Sequence, residues 1–200
     1  MLIDLHVHST ISSCSSLPVG EILGNARSRG LDGVCITDHD SISVLSQIRE
    51  GFQPDGLLVL VGMEYATPQG DFLVFGPVDR LTPGLDGASL LREVDSLGGA
   101  AVAAHPFRSW RSSDVAVVEL GPCLVEVENG RNTDAENRQA AELADRLGAH
   151  AVAGSDAHTL AELGRRPTRF HTRISCRADL VHALRLGQCL PFHMAEAVAS

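Results

Sequence analysis

The chain contains no Lys; all sixteen of its fixed cations are Arg. No two of its five Cys (Cys14, Cys35, Cys123, Cys176, Cys189) form a CxxC pair, and their number is odd and their positions scattered, which indicates neither a zinc knuckle nor a disulfide framework. Reduced, buried thiols are expected instead. Aromatic residues are scarce, at 4% with a single Trp. The longest aliphatic run, Leu57–Val61, is far below the roughly 20 residues that a membrane span requires. Asp4 and His6 interrupt the N-terminus before any apolar leader can form. Positive charge is also in deficit: 25 acidic residues against 16 basic ones give −9. Phosphate neutralisation supplies most of the affinity for duplex nucleic acid, so this balance argues against such a partner. The expectation is a cytoplasmic protein with neither a membrane nor a duplex partner.

What remains is an ordinary globular composition, 44% apolar and 20% charged over 200 residues. That length predicts one domain, 1–200, able to bury about 70% of its unfolded surface without a metal or disulfide. Strand-like runs occur at Leu2–Val7, Gly33–Thr37, Leu57–Gly62, Phe72–Phe75, Ala100–Ala104, Cys123–Val127 and Ala149–Ala153. Several are apolar at nearly every position, as in strands buried on both faces. Helical patterns lie between them at Val19–Arg29, Leu90–Leu97, Asp134–Leu147 and Arg177–Leu186, each closed by Gly. Alternating β and α units imply an α/β fold with a parallel sheet, open or closed into a barrel. Right-handed crossovers put every strand's C-terminal end on one side, where function gathers in either architecture.

Those ends carry imidazoles and carboxylates. The first strand reads Asp4-Leu5-His6-Val7-His8, and residues two apart on a strand share a face. Others end in Thr37-Asp38-His39-Asp40, Gly62-Met63-Glu64, His105-Pro106 and Gly154-Ser155-Asp156-Ala157-His158. Five of nine His fall in this register, and burying them with two carboxylates without a cation would be costly. The set His6, His8, His39, Glu64, His105, Asp156 and His158 is therefore predicted to be a metal site. Imidazole and carboxylate without paired thiolates suit Zn, Mn or Fe, and the number of ligands calls for two or three divalent ions. Two such ions can clamp a phosphoryl group. His150, His171 and His182 read as structural or solvated, with His193 a candidate late ligand. Arg108, Arg111 and Arg131 follow strand ends and are candidate contacts for a small phosphorylated substrate. Ser155 reads as a turn residue.

These motifs, in this order, resemble those of the polymerase and histidinol phosphatase (PHP) family over residues 3–158. The resemblance implies a distorted (βα)7, TIM-like barrel with its metal cluster at the strands' C-terminal ends, and hydrolysis of phosphoesters by a metal-bridging hydroxide. It implies that His6, His8, Glu64 and Asp156 hold one ion, His39 and His158 a second, and that His105 and Glu64 lie towards a third. Two usual ligands are missing. The segment after the His pair reads Ile11-Ser12-Ser13-Cys14-Ser15-Ser16, and the strand after Glu64 reads Asp71-Phe72-Leu73-Val74. Cys14 is expected to pack in its loop. Two alternatives stand beside the small-molecule phosphoesterase. One is a metal-binding module that has lost turnover; the other is an amidohydrolase-type hydrolase, whose carboxylated-Lys bridge the absence of Lys excludes.

Overall fold

A computed structural model describes residues 1–121 and 124–192. Cys123 and His193 lie outside them. Eleven strands are described: β1 (Leu2–Val7), β2 (Gly33–Ile36), β3 (Gly51–Phe52), β4 (Leu58–Val61), β5 (Met63–Thr67), β6 (Gly70–Phe75), β7 (Ala100–Ala103), β8 (Leu124–Asn129), β9 (His150–Gly154), β10 (Thr168–Phe170) and β11 (Cys189–Pro191). Five α-helices accompany them: α1 (Val19–Asn25), α2 (Gly87–Ser96), α3 (Val115–Val118), α4 (Asp134–Leu147) and α5 (Arg177–Arg185).

The strands form two sheets, in the orders β11-β10-β1-β2-β4-β3 and β5-β6-β7-β8-β9. The α/β content matches expectation, but the described residues show two sheets and not a closed (βα)7 barrel. The physical reason lies at β5 and β6. Only Pro68 and Gln69 separate them, too few for a crossover helix, so β6 returns antiparallel to β5 and β7 then pairs antiparallel to β6. Parallel bridges Val7↔Ala157 and His39↔Glu64 bring the loops beyond the strand ends together. No helix among the described residues is long and apolar enough to cross a membrane.

Alternation along the strands builds the core. Leu58, Leu60, Leu73, Phe75, Ala100 and Val102 face an inner layer shared with Leu180 and Leu184 of α5. Val59 and Val61 face an outer layer with Ile22 of α1. Val74, Ala101 and Ala103 face another, with Leu90 of α2 and Leu143 of α4. On β1 the alternation breaks. Ile3 and Leu5 belong to the inner layer but Val7 to an outer one, and the β1–β2 register shifts between Asp4 and Val7. A shift of this kind re-aims side chains next to active sites. Here it turns His6 and His8 towards the gathered loops.

Local chemistry sets the helix ends. Thr133 accepts a hydrogen bond from Glu136 N while the Glu136 carboxylate accepts from Thr133 N, a capping box that starts α4; Gly148, at φ 62°, ends it. Asp86 caps α2 by accepting from Ser89 N.

Candidate metal centre

Three of the loop residues that follow strands take up positive φ without being Gly: Asp40 (46°), His105 (30°) and Asp156 (52°). Positive φ is uncommon outside Gly, although Asp and His tolerate it better than most, and such conformations gather at functional sites. All three line a single cavity of about 490 Å³.

At its floor the seven predicted residues converge. Glu64 Oε2 lies 3.0 Å from His8 Nε2, 3.2 Å from His39 Nδ1 and 3.3 Å from His6 Nε2. Glu64 Oε1 lies 2.9 Å from His105 Nε2. Asp156 Oδ1 lies 3.3 Å from His8 Nε2, 3.5 Å from His6 Nε2 and 3.4 Å from His158 Nδ1. Donor atoms fall into three overlapping groups: His6, His8 and Asp156; His6, Glu64 and His105; His8, His39 and His158.

Whether these groups fit a cation is decided by where the imidazole protons are held. His6 Nδ1 is 2.9 Å from Glu126 Oε1, a carboxylate that only accepts, so Nδ1 carries the proton and Nε2 presents its lone pair. Ser12 Oγ donates to Asp38 Oδ1 at 2.6 Å, which leaves it to accept from His8 Nδ1 at 3.3 Å and from His39 N at 3.1 Å. His8 Nε2 is then a lone pair as well. The two Nε2 atoms face each other at 3.0 Å, an arrangement that repels unless a cation lies against both. Glu64 Oε2 adds a buried carboxylate oxygen with no hydrogen-bond partner. The residues fit divalent metal.

In the metal-free chain, protons take the place of the cation. Burial works against charging His6, but the carboxylates of Asp156, Glu126 and Glu64 outweigh it and raise its pKa well above the ordinary value. Burial would also lift Glu64 and Asp156, yet His6 and the hydrogen bonds around them hold both well below the usual carboxylate range. His158 is pushed down to about 4 by burial and by His8 beside it.

The family model described as the PHP domain matches residues 4–110, more than half the chain. The chain belongs to the PHP family. A second model, described as PHP-associated, matches residues 134–189. An uncharacterized protein of Methanocaldococcus jannaschii is 29% identical over 180 residues, covering 85% of this chain and 70% of its own length. Among solved structures, PsfC of Pseudomonas syringae has a TM-score of 0.77 at 21% identity, covering 98% of this chain and 92% of its own. A candidate metal-dependent phosphoesterase of Bifidobacterium adolescentis has 0.66 at 17% identity, covering 91% and 95%. Endonuclease Q has 0.70 at 17% identity over 92% of this chain and 57% of its own, in complex with a 27-mer duplex with an abasic lesion at the active site. That complex overturns the exclusion of duplex nucleic acid drawn above from net charge. Charge summed over a surface does not decide what one cavity binds, and a duplex is held by a protein of this same fold.

In this PHP chain the three candidate Arg part ways. Arg108 is buried, with Nη2 2.6 Å from Asp156 Oδ2 and 2.7 Å from Asn129 Oδ1. Arg111 is held bidentately by Asp71 on the cavity wall. Arg131 Nη1 lies 3.0 Å from His158 Nδ1. His150, His171 and His182 are exposed and away from the cluster. Ser155 is buried in the segment just after β9, outside any turn, and its Oγ accepts from Arg166 N. Cys35 and Cys189 are buried as expected, but Cys14 and Cys176 are exposed. Cys14 sits on the cavity edge instead of packing in its loop, because Ser12 fills the inward position there. Burial and the Glu64 and Asp156 charges raise its thiol above the ordinary pKa.

Sequence reasoning missed Glu126, the acceptor for His6 Nδ1, His105 N and Asn129 Nδ2. The signal was present: an acidic residue between Val125 and Val127, on the inward register of a buried strand. Gly154 belongs with it, since a Cβ there would lie 2.4 Å from both Glu126 Oε1 and His6 Cβ. Asp4 was seen only as part of a motif. It accepts from His6 N, Ser155 N and Gly164 N and so ties β1 to the loop bearing Asp156.

Proposed function

We propose that this chain is a metal-dependent phosphoesterase that hydrolyses a small phosphorylated metabolite or nucleotide. The observation that carries the reading is Glu64 Oε2, buried, unpartnered and within 3.3 Å of three imidazole nitrogens. His6, His8 and Asp156 would hold one divalent ion, with Glu64 shared towards His105 and towards His39; His158 completes the outer group. Two ions of Zn, Mn or Fe suit these donors. When bound, they supply activated water and neutralise charge that develops on the phosphoryl oxygens.

The chain's own residues supply the rest. Arg131, half-exposed beside His158, is placed to donate to non-bridging phosphate oxygens. Arg108 acts differently, since its guanidinium fixes Asp156 and through it the approach to His6 and His8. Arg111, already paired with Asp71, shapes the cavity wall. His158 stays neutral near pH 7 and keeps its lone pair available.

Metal content per chain, on protein purified without chelator, tests this together with manganese-supported hydrolysis of p-nitrophenyl phosphate and its bis-ester. Two ions and turnover abolished by EDTA are expected. His6→Ala or Asp156→Ala should lose metal and turnover together. Wild-type metal content in either variant would place the ions elsewhere. One ion with no turnover would make the chain a metal-binding module, its missing ligands at 11–16 and 71–74 being decisive.

A further inference from the structure

Trp110 is the single Trp of the chain and one of its most exposed large apolar side chains, with 70% of its surface open. It does not lie on an arbitrary face but lines the cavity whose floor is Glu64 and Asp156. Arg108 connects the two. Its guanidinium carbon is 5.3 Å from the Trp110 ring centroid, and its Nη2 is 2.6 Å from Asp156 Oδ2. One face of the indole thus looks towards a buried cation adjoining the metal groups, while the rest of the ring is open.

The backbone beneath the ring is tied down. Arg108 N donates to His105 O, Arg111 N to Arg108 O and Ser113 N to Pro106 O. Ser109 N donates to Glu136 Oε1 at the start of α4. These hydrogen bonds fix the loop that carries the ring at the cavity mouth.

We infer that Trp110 is a ring subsite: the ester cleaved at the floor carries a planar heteroaromatic ring, as a nucleotide does, which stacks on the open indole face. The inference rests on the phosphoesterase reading and narrows its substrate class. Stacking of this kind is sequence-tolerant, because every base has a π face. Phosphate held near Arg131 and a ring on Trp110 would divide recognition between the two ends of one small molecule.

As the lone Trp, the residue reports on its own occupancy. The test titrates adenosine 5′-monophosphate, adenosine and ribose 5-phosphate into metal-loaded protein while following Trp emission, and measures KM for the two phosphates. The nucleotide should quench emission and ribose 5-phosphate should not. KM for the nucleotide should be lower on the order of tenfold, as expected for one base–aromatic stack. Trp110→Ala should erase that preference, and Trp110→Phe should keep it. An unchanged preference in Trp110→Ala, or equal quenching by ribose 5-phosphate, overturns the subsite. Hydrolysis of both phosphates at equal KM would remove the subsite and leave the phosphoesterase standing. Selective quenching without turnover would do the reverse. A single-stranded oligonucleotide run beside the free nucleotide tells which source the subsite prefers: the tighter binder supplies the ring.

Discussion

Glu126 and Ser12 contribute no atom to the predicted ligand groups, yet they decide which atoms His6 and His8 offer. Glu126 holds the His6 proton directly, and Ser12 passes the role to Asp38 through its hydroxyl, which is saturated by one donated and two accepted hydrogen bonds. Partners of this kind commonly change metal affinity by about 10- to 100-fold. Glu126→Gln and Ser12→Ala are each expected to weaken manganese or zinc affinity within that range, measured by competition against a chromophoric chelator. Ser12→Thr keeps the hydroxyl and should recover much of the loss. Affinity unchanged in Ser12→Ala would mean that His8 Nδ1 is held by something other than this hydroxyl. Residues of this class separate what the sequence discloses from what it conceals. His6, His8, Glu64 and Asp156 were legible because an imidazole or carboxylate at a strand end is unusual by type. Ser12 was legible only as a missing ligand, since nothing in Ile11-Ser12-Ser13 says which hydroxyl turns inward. Arg108 was read as a substrate contact, but its partners Asp156 and Asn129 come from two other strand ends and meet it only in three dimensions.

At the scale of elements, punctuation was readable and pairing was not. Asp134–Leu147 was predicted to the residue from its helical pattern and the Gly148 that closes it, and the Thr133–Glu136 capping box is the physical reason it starts there. The run at Leu57–Gly62 hid a break: Gly62 separates β4 from β5, which joins the other sheet. Beyond Gly62 the polar residues Glu64 and Thr67 interrupt the apolar pattern, so periodicity does not announce β5 as a strand, and a Cβ at Gly62 would lie 2.8 Å from Phe75 Cδ1 and Val74 O of β6. The capping box of α4 does more than start a helix. Glu136 Oε2 accepts from Thr133 N while its Oε1 accepts from Ser109 N, in the loop that bears Trp110. Glu136→Ala is expected to cost about 1 kcal/mol, as a lost cap usually does, which lowers Tm by roughly 2–4 °C in a chain of this size. It should also lower the fluorescence anisotropy of Trp110 as the loop loosens. Thr133→Ala should cost similar stability and leave the anisotropy unchanged. Equal anisotropy in both variants would show that the loop does not depend on Glu136.

For the molecule as a whole, net charge says little about the cavity, where Arg108, Arg111 and Arg131 gather in a chain of charge −9. What matters there is which cation balances Glu64, Asp156 and Glu126. In the absence of metal, protons on His6 and His8 take that part: burial opposes their charge, but the surrounding carboxylates prevail and raise both pKa values. A histidine with a raised pKa stabilises fully below its unfolded value, about 6.5, and loses that contribution as pH rises through the folded value. His158 runs the other way. Pushed down to about 4, it leaves the unfolded chain to bind its proton first, so stability falls through it as pH drops below about 6.5. The EDTA-treated chain is therefore expected to have its highest Tm near pH 6.5 and to lose stability on both sides, by about the unfolded histidine pKa. Metal replaces those protons, so binding should release them, and the loaded chain should keep its Tm as pH rises from about 6.5 to about 8.5. Thermal melts of both forms across this range, with calorimetry in two buffers of different ionisation enthalpy, check the two halves of the argument. A loaded chain that loses Tm in parallel with the metal-free one, or binding without proton release, would mean that His6 and His8 are not where the ion binds.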